Sequence, residues 1–515
     1  MTKLIAALAL FFSLNLHAAP VLRWAADIES GAPFSFKDPN NPEKMIGFEV
    51  EIIEAVAREL GMEPKFYQNN WEGLIEGLKR NDYDVVINGL EITPDRAQVV
   101  HFSRPYYVTA EVLTVRKDED EIKKLQDTRH RKIGTLTSSL AQRILARQEF
   151  PMQVITYSEE VHAFNDLVNG RLDAVFLDEP IALYYGKPNK DLKIVGPPVG
   201  KLEYGIATRL GDKVLSGKIQ GALNRLVGKG EIRRILEKWG LWNPLTASEF
   251  HVDVFAKTPP VAYENYVNNL QKEISWGERL HRYVTILPLL LKGAMMTLQI
   301  SIISMILAMI VGLLAALARL YGPKPFSWLA LAYVEMFRGT PLLIQLFLIF
   351  YGLPHVGIRL DPFLAAVLGL GLNYGACEAE NYRAGILSIP KSQMDASLAL
   401  GMSWGQSLRH VILPQAIRVV IPPVTNDFIA LLKDSSLVSI ITMVELTSTY
   451  GQLASTYFDY LGIGLLTALV YFLIGLPFVR LSRYFENTLS STTVIVDRTK
   501  KPSFVQRLTP FSFMK

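Results

Sequence analysis

Glu91 lies a few residues before Arg96, and upstream Glu29 stands beside the small residues Ser30, Gly31 and Ala32. If this region is buried, the Glu91 carboxylate must pair with Arg96 or meet a cationic or hydroxyl-bearing ligand, because an isolated buried charge is prohibitively costly. A second set of charges interrupts the hydrophobic half of the chain. Glu380 and Arg383 are close enough on one helix to pair, and Lys433 with Asp434 breaks a later apolar run. Intramembrane charges default to a functional role, with a structural ion pair as the equal competitor. Cys377 is the only cysteine, so neither a disulfide nor a cysteine metal cluster can form within the chain, and a small packing role is expected. No Gly-x4-Gly-Lys-Ser/Thr loop occurs, so no ATP phosphate cradle of the usual kind is expected. Neither a catalytic set nor a metal site is expected.

These groups must be positioned by 515 residues, too many for one ordinary core, which predicts two or three domains. Hydrophobic residues make up 50% and charged residues 20%, with a mean hydropathy of +0.20. The two kinds of surface are segregated. Nearly all long uncharged runs follow Met295, whereas charges are dense from Arg23 to Arg282. A soluble front and a membrane back follow. The net charge of +4 is small, and much of the surplus flanks the hydrophobic runs. No basic patch interleaved with aromatics points to nucleic acid, and membrane lipid is the expected surrounding.

Lys3, the apolar run Leu4 to Leu16 and the pair Ala18-Ala19 read as a secretory signal over residues 1–19, too short for a bilayer span. Residues 20–245 alternate β-rich runs, such as Val21 to Ala26, Val85 to Asn88, Lys132 to Thr135 and Ala174 to Leu177, with helical ones at Glu49 to Leu60 and Gly221 to Lys238. A doubly wound α/β domain is the natural fold. Residues 246–284 form a connector, amphipathic through Tyr263, Tyr266, Leu270 and Ile274. Residues 285–490 hold five candidate spans: Met295 to Ala318, Gly339 to Val356, Phe363 to Cys377, Ile417 to Leu432 and Leu461 to Val479. The fourth, interrupted by Pro422, Pro423, Asn426 and Asp427, requires protein around it. With the front domain outside, five crossings place Arg319, Lys324, the polar segment Arg383 to Arg418 and the tail 491–515 in the cytoplasm. Four or six would violate the positive-inside rule.

Between the third and fourth spans stand Asp395-Ala396-Ser397, three residues, Gly401, nine residues, then Val411-Ile412-Leu413-Pro414. This resembles the "EAA" loop of binding-protein-dependent ABC permeases, with Asp395 for the family glutamate and Ser397 for the second alanine. Phe337-Arg338-Gly339-Thr340-Pro341, Arg383-Ala384-Gly385-Ile386, Ile389-Pro390-Lys391 and Lys433-Asp434-Ser435-Ser436-Leu437 are similar to the polar amino acid subfamily, over about 283–490. The resemblance implies a bacterial inner-membrane permease whose loop residues Asp395, Ala396, Ser397, Gly401, Leu413 and Pro414 contact a separate ATPase subunit. ATP and Mg would sit on that subunit, with no cofactor in this chain. A second permease copy, giving a homodimer, is also implied.

The front half resembles the type II periplasmic binding proteins for amino acids. The matching runs are Gly47-Phe48-Glu49-Val50-Glu51, Asp84-Val85-Val86, Gly89-Leu90-Glu91-Ile92-Thr93-Pro94-Asp95-Arg96 and Phe102-Ser103-Arg104-Pro105-Tyr106. Two α/β lobes around a cleft are implied, the chain crossing near Val112 to Arg116 and returning near Tyr204 to Thr208. So are Arg96 as a bidentate partner of an α-carboxylate, Asp27 and Asp178 as partners of an ammonium, Trp71 against the ligand side chain, and Gly89 and Ser139 as further substrate contacts. Each has a plainer alternative: Asp27 as a loop cap, Arg96 as a surface charge beside Asp95, Trp71 as a core residue. The chain departs from the family at Glu91, where many relatives carry a hydroxyl; at Glu29 to Ala32, which lack the usual aromatic before Pro33; and at Ser138-Ser139, which replace a Gly-Thr pair. Glu91 and Glu29 together predict a ligand with added positive or polar character. The open alternative is that Glu91 pairs with Arg96 and the ligand is no amino acid.

The combination predicts an importer subunit for amino acids or related polar or cationic small molecules: a bilobal α/β binding domain followed by an all-α, five-span membrane domain. Two rivals use the same binding fold. A ligand-gated channel would interrupt the lobes with pore segments, and here the lobes are contiguous. A dehydratase-like enzyme would need a proton-transfer group in the cleft, for which His101 and His162 are the nearest candidates along the chain.

Overall fold

A computed structural model describes residues 20–272 and 275–490, so the signal expected over 1–19 and the tail expected over 491–515 lie outside the described residues. The strands are β1 (Val21–Ala26), β2 (Phe36–Asp38), β3 (Asn41–Ile46), β4 (Glu63–Gln68), β5 (Val85–Val86), β6 (Val100–Phe102), β7 (Tyr107–Arg116), β8 (Lys132–Leu136), β9 (Gln153–Tyr157), β10 (Ala174–Asp178), β11 (Leu192–Tyr204) and β12 (Ala207–Arg209). They form one sheet ordered β4-β1-β5-β12-β6, a second ordered β11-β7-β10-β8-β9, and the hairpin β2-β3. β1 runs parallel to β4 and β5, while β12 is antiparallel to β5 and β6. In the second sheet β10 is parallel to β8 and antiparallel to β7. All five residues of β10 are buried, as expected of a central strand covered on both faces.

The two sheets are the cores of two lobes, and the chain passes between them twice. The first crossing lies between β6 and β7, at Ser103-Arg104-Pro105, rather than at Val112 to Arg116. The reason is packing: Tyr107 to Val115 is buried without interruption and paired on both sides, to β10 and β11, which leaves no freedom for a hinge. The return lies between Tyr204 and Ala207, as expected. The two crossings run side by side, with Tyr106 N donating to Tyr204 O at 3.0 Å and Ser103 N to Ile206 O at 2.9 Å.

Helix formation in the lobes follows the apolar periodicity. Helix Phe48–Leu60 buries Phe48, Ile52, Ile53, Val56 and Ala57 on the inner face. The segment read as one helix over Gly221 to Lys238 is two, Lys213–Gly228 and Glu231–Lys238. The connector helix Val261–Gln271 packs its Tyr266 into the binding-domain core beside Phe36 and Tyr184, so the connector is anchored rather than loose.

The remainder is helical: Trp276–Tyr321, Lys324–Gly339, Leu342–Phe347, Pro362–Leu387, Lys391–Ala399, Leu413–Asp434, Leu446–Tyr457 and Tyr460–Ser490 are its longer elements. Among the described residues, 2 helices are long and apolar enough to cross a membrane, Trp276–Tyr321 and the helix from Tyr460, or up to 3 if the bent pair Lys324–Gly339 and Leu342–Val356 is one span. The pair bends by 110° at Thr340-Pro341, where proline removes a donor and forces the preceding residue out of the helical region. Gln345 repairs the break: its Nε2 donates to Phe337 O at 2.8 Å and Thr340 O at 3.0 Å, and its Oε1 accepts from Asn373 at 3.0 Å.

By contacts the chain divides into two compact units, one extending to Met296 and including Phe350–Pro362 and Ser436–Leu469, the other holding Thr297–Ile349, Phe363–Ser435 and the chain from Val470. Within the first, Arg80 donates to Phe350 O at 2.5 Å and Leu360 O at 3.0 Å, its guanidinium 3.5 Å from the Phe350 ring centroid.

Candidate functional site

The turn after β5 delivers the guanidinium. Thr93 caps the short helix Pro94–Ala97, accepting from Arg96 N at 3.4 Å, and Pro94 starts that helix where its missing N–H costs nothing. Arg96 then reaches back to the Glu91 carboxylate, donates to Glu91 O at 3.3 Å, and crosses to the second lobe to donate to Ser138 O at 3.3 Å. Its guanidinium lies 5.3 Å from the Trp71 ring centroid. The second Glu91 oxygen accepts from Leu140 N at 3.1 Å, again across the lobes. Glu91 and Arg96 are therefore partners, and with 3% and 13% of their side chains exposed they are a largely desolvated pair. A surface role for Arg96 is ruled out by that burial.

Asp178, at the end of β10, accepts from the Tyr204 hydroxyl at the hinge, and burial together with the nearby Glu91 charge pushes its carboxyl up to about 7. Directly opposite it in the β7–β10 register is Glu111, fully buried, whose carboxyl meets that of Asp178 and among the described residues accepts from no N–H or other hydroxyl. Burial, then the charges of Asp178 and Glu91, hold the Glu111 carboxyl well above the usual carboxylate range. Glu111 is absent from the sequence-based site because it stands in an apolar strand run, and only the strand register brings it to Asp178.

Asp27 serves the fold visibly. It accepts from Glu29 N at 3.0 Å, Gln68 Nε2 at 3.0 Å and Trp71 N at 2.8 Å, so it ties three loops of the first lobe together. Burial nonetheless raises its carboxyl. Gly89 adopts φ +59°, and a Cβ there would lie 2.8 Å from the Phe34 ring, which explains the glycine. Its amide donates to Glu49 Oε1 at 2.6 Å, and Glu49, also bonded to the Tyr106 hydroxyl, is pushed by burial up to about 8. Ser139 caps helix Leu140–Ala146, accepting from Gln142 N at 3.1 Å. Of the sequence-based set, Glu91, Arg96, Trp71 and the Ser138-Ser139 turn thus converge, with Asp178 beside Glu91, while Asp27, Gly89 and Ser139 have structural hydrogen bonds of their own.

A cavity of about 460 Å³ opens here, lined by Trp71, Glu72, Ile75, Leu90, Arg96, Ser138 and Arg143, a size suited to a small molecule. A larger one, about 1020 Å³, lies along the connector and is lined by none of the proposed ligand contacts. His101 lies on the edge strand β6 opposite Thr208, and His162 faces Glu159 at 3.5 Å. Neither is hydrogen-bonded to Glu91, Arg96 or Asp178. Among the described residues no group of His, Cys, Asp and Glu is placed to hold a metal ion.

In the membrane region, helix Lys391–Ala399 carries Asp395 and Ala396 on its exposed side and Ser397 on its buried one. Gly401, at φ +83°, turns the chain, and Leu413-Pro414 opens the next helix. Leu398 and Leu400 are 41% and 84% exposed, an apolar patch beside Asp395. Glu380 accepts from Arg383 at 2.8 Å and 3.0 Å and is also paired with Arg319. Asp434 accepts from the Tyr374 hydroxyl at 2.7 Å, and Lys433 is exposed. Glu378, which sequence reasoning passed over, is wholly buried, and Asn381 holds Asp427 at 2.8 Å.

Two family models match the chain. Residues 22–241 match the bacterial extracellular solute-binding proteins, family 3, and residues 308–491 match the binding-protein-dependent transport system inner membrane component. The L-cystine transport system permease protein of Bacillus subtilis (strain 168) is 48% identical over 31% of this chain and 68% of its own length. The glutamine transport system permease protein of Escherichia coli (strain K12) is 38% identical over 39% of this chain and 94% of its own. Among solved structures, an ancestral arginine-binding protein bound to arginine is 35% identical, covering 43% of this chain and 99% of that one, with a TM-score of 0.41.

Proposed function

Because the chain belongs to the binding-protein-dependent amino acid ABC transport family, a solute-binding protein continuous with an inner-membrane permease, we propose that it captures its cargo in the interlobe cleft and passes it to its own translocation path. The cargo is an amino acid or a related polar or cationic small molecule. Arg96, Glu91, Trp71 and Asp178 form the binding set, with Asp27, Gly89 and Ser139 holding the loops that carry it. The observation that supports this most is the meeting of Glu91, Arg96, Ser138 and Leu140 between the lobes, which gives a ligand the means to hold them closed.

Transport is driven by a separate ATPase subunit that carries ATP and Mg and docks on Asp395, Ala396, Ser397, Gly401, Leu413 and Pro414, with the exposed Leu398 and Leu400 supplying apolar contact. Two copies of the chain form the translocating dimer, each crossing the bilayer five times. Tethering raises the effective concentration of the receptor at its permease.

Heat unfolding of the full chain in detergent, against a panel of amino acids, amines and opines, tests the binding half. A true cargo raises Tm by mass action, and a panel that leaves Tm unmoved removes the reading. Gly401→Val tests the coupling half. Strain at a positive φ is expected to reduce cargo-stimulated ATP hydrolysis in proteoliposomes about tenfold or more, with cargo binding unchanged. Full coupling in that variant would remove the loop from the mechanism.

A further inference from the structure

The Arg96 guanidinium has committed its terminal nitrogens inside the protein. Nη1 meets the Glu91 carboxylate and, at 3.3 Å, the Glu91 carbonyl, while Nη2 donates to Ser138 O at 3.3 Å. The other Glu91 oxygen accepts from Leu140 N at 3.1 Å. A carboxylate gripped by a guanidinium from one lobe and a backbone amide from the other is the arrangement that a bound ligand's carboxylate would adopt. Here the chain supplies that carboxylate itself, and it is 3% exposed.

Setting that neutral pair aside leaves Asp178 and Glu111, facing each other on neighbouring strands. Asp178 has the Tyr204 hydroxyl, whereas among the described residues the fully buried Glu111 has no hydrogen-bond donor and meets only the Asp178 carboxyl. Among the described residues no guanidinium or ammonium is hydrogen-bonded to either carboxyl. Two buried carboxyls side by side need a proton or a cation between them. Glu91 joins the halves of the site, since it is paired with Arg96, which lines the cavity, and close enough to Asp178 and Glu111 to act on both electrostatically.

We infer that Glu91 is a built-in occupant of the Arg96 anion site, and that the cleft therefore selects an amine or guanidine without a free carboxylate, its cationic group received by Asp178 and Glu111. This rests on the importer function proposed above and narrows its cargo. An α-amino acid brings a second carboxylate to a filled anion site. To bind in the usual way it must displace Glu91 from Arg96 and force its carboxylate towards two further buried acidic groups, Asp178 and Glu111. An amine lacking the carboxylate brings only the cation and leaves the Glu91–Arg96 pair in place.

Matched probes test this, because agmatine is arginine, and cadaverine is lysine, without the carboxylate. Calorimetric titration of the purified full chain in lipid nanodiscs is expected to show the preferred amine binding about tenfold or more tightly than its parent amino acid. In Glu91→Ser, which empties the anion site and leaves Arg96 unpaired, the order reverses, with the amino acid gaining about tenfold and the amine losing affinity. Should Glu91→Ser fail to fold, Glu91→Gln keeps the side-chain shape and is expected to narrow the preference in the same direction. Binding of arginine or lysine by the wild type as tightly as its amine overturns the inference and leaves the importer function standing. Binding of neither series, together with no response to any other amino acid, amine or opine, overturns both.

Discussion

In the binding lobes one guanidinium, Arg96, pairs with the buried Glu91, and two further buried carboxyls, Asp178 and Glu111, face each other nearby. In the membrane region one carboxylate, Glu380, meets two guanidiniums, Arg319 and Arg383. The residue types are the same and the balance is opposite. A surplus of buried carboxyls must take a proton or a cation from outside, which makes the cleft responsive to pH and to ligand. A surplus of guanidinium that is partly exposed, as Arg383 is at 34%, can be served by water. On the function proposed above the first grouping receives the cargo, whereas the second braces helix Pro362–Leu387 against helix Trp276–Tyr321.

The widest separation between the two comes from deleting a guanidinium in each. Arg96→Ala leaves Glu91 buried beside Asp178 and Glu111 with no cation, and stranding a buried charge in this way costs about 3–5 kcal/mol. The first unfolding transition of the full chain is expected to fall by several degrees, and response to any cargo to weaken sharply. A fall no larger than that of Arg383→Ala would erase the distinction.

The next effect is on pH. Asp178 is raised to about 7 and Glu49 to about 8, in both cases by burial first. A folded-state value raised above the unfolded one means the folded form holds the proton more tightly. The resulting stability is whole below the ordinary carboxylate value, about 4, and is lost as pH rises through about 7 for Asp178 and about 8 for Glu49. The ligand-free protein is therefore expected to lose a few degrees of Tm across that window, with a shallower slope in Asp178→Asn. A cationic cargo favours the ionised carboxyl, so its affinity is expected to rise with pH through about 7. An affinity that falls over the same window would place the cation elsewhere.

How far such groupings can be seen in the sequence depends on how local they are. Arg96 and Glu91 were legible because a single turn, with its Thr93 cap and Pro94, sets them side by side. Glu111 was not, since it stands in an apolar run just before the expected crossing, and only the register of β7 with β10 brings it to Asp178. The same distinction holds in the membrane region. The Glu380–Arg383 pair follows from helical spacing, but the partner from Arg319 depends on how two helices pack. The hinge was misplaced for a related reason, since β-branched residues at Val112 to Arg116 look equally at home in a crossing strand or a central one. The bilobal front and helical back were legible because they rest on hydrophobic periodicity and on long motif runs.

The smallest expected effect is also the sharpest check on the brace. In Arg383→Ala the Glu380 carboxylate keeps Arg319, and the lost pair was partly solvated, so the cost is expected to stay below about 1 kcal/mol. The temperature of heat-induced aggregation in detergent would shift by no more than a degree or two, and cargo binding would not change. Arg319→Ala removes the partner that joins two helices instead of one helix to itself, and is expected to shift that temperature more than Arg383→Ala does. If Arg383→Ala instead abolished transport with unchanged stability, the membrane grouping would be receiving cargo as the cleft does, and the contrast between the two regions would be one of position along the path rather than of purpose.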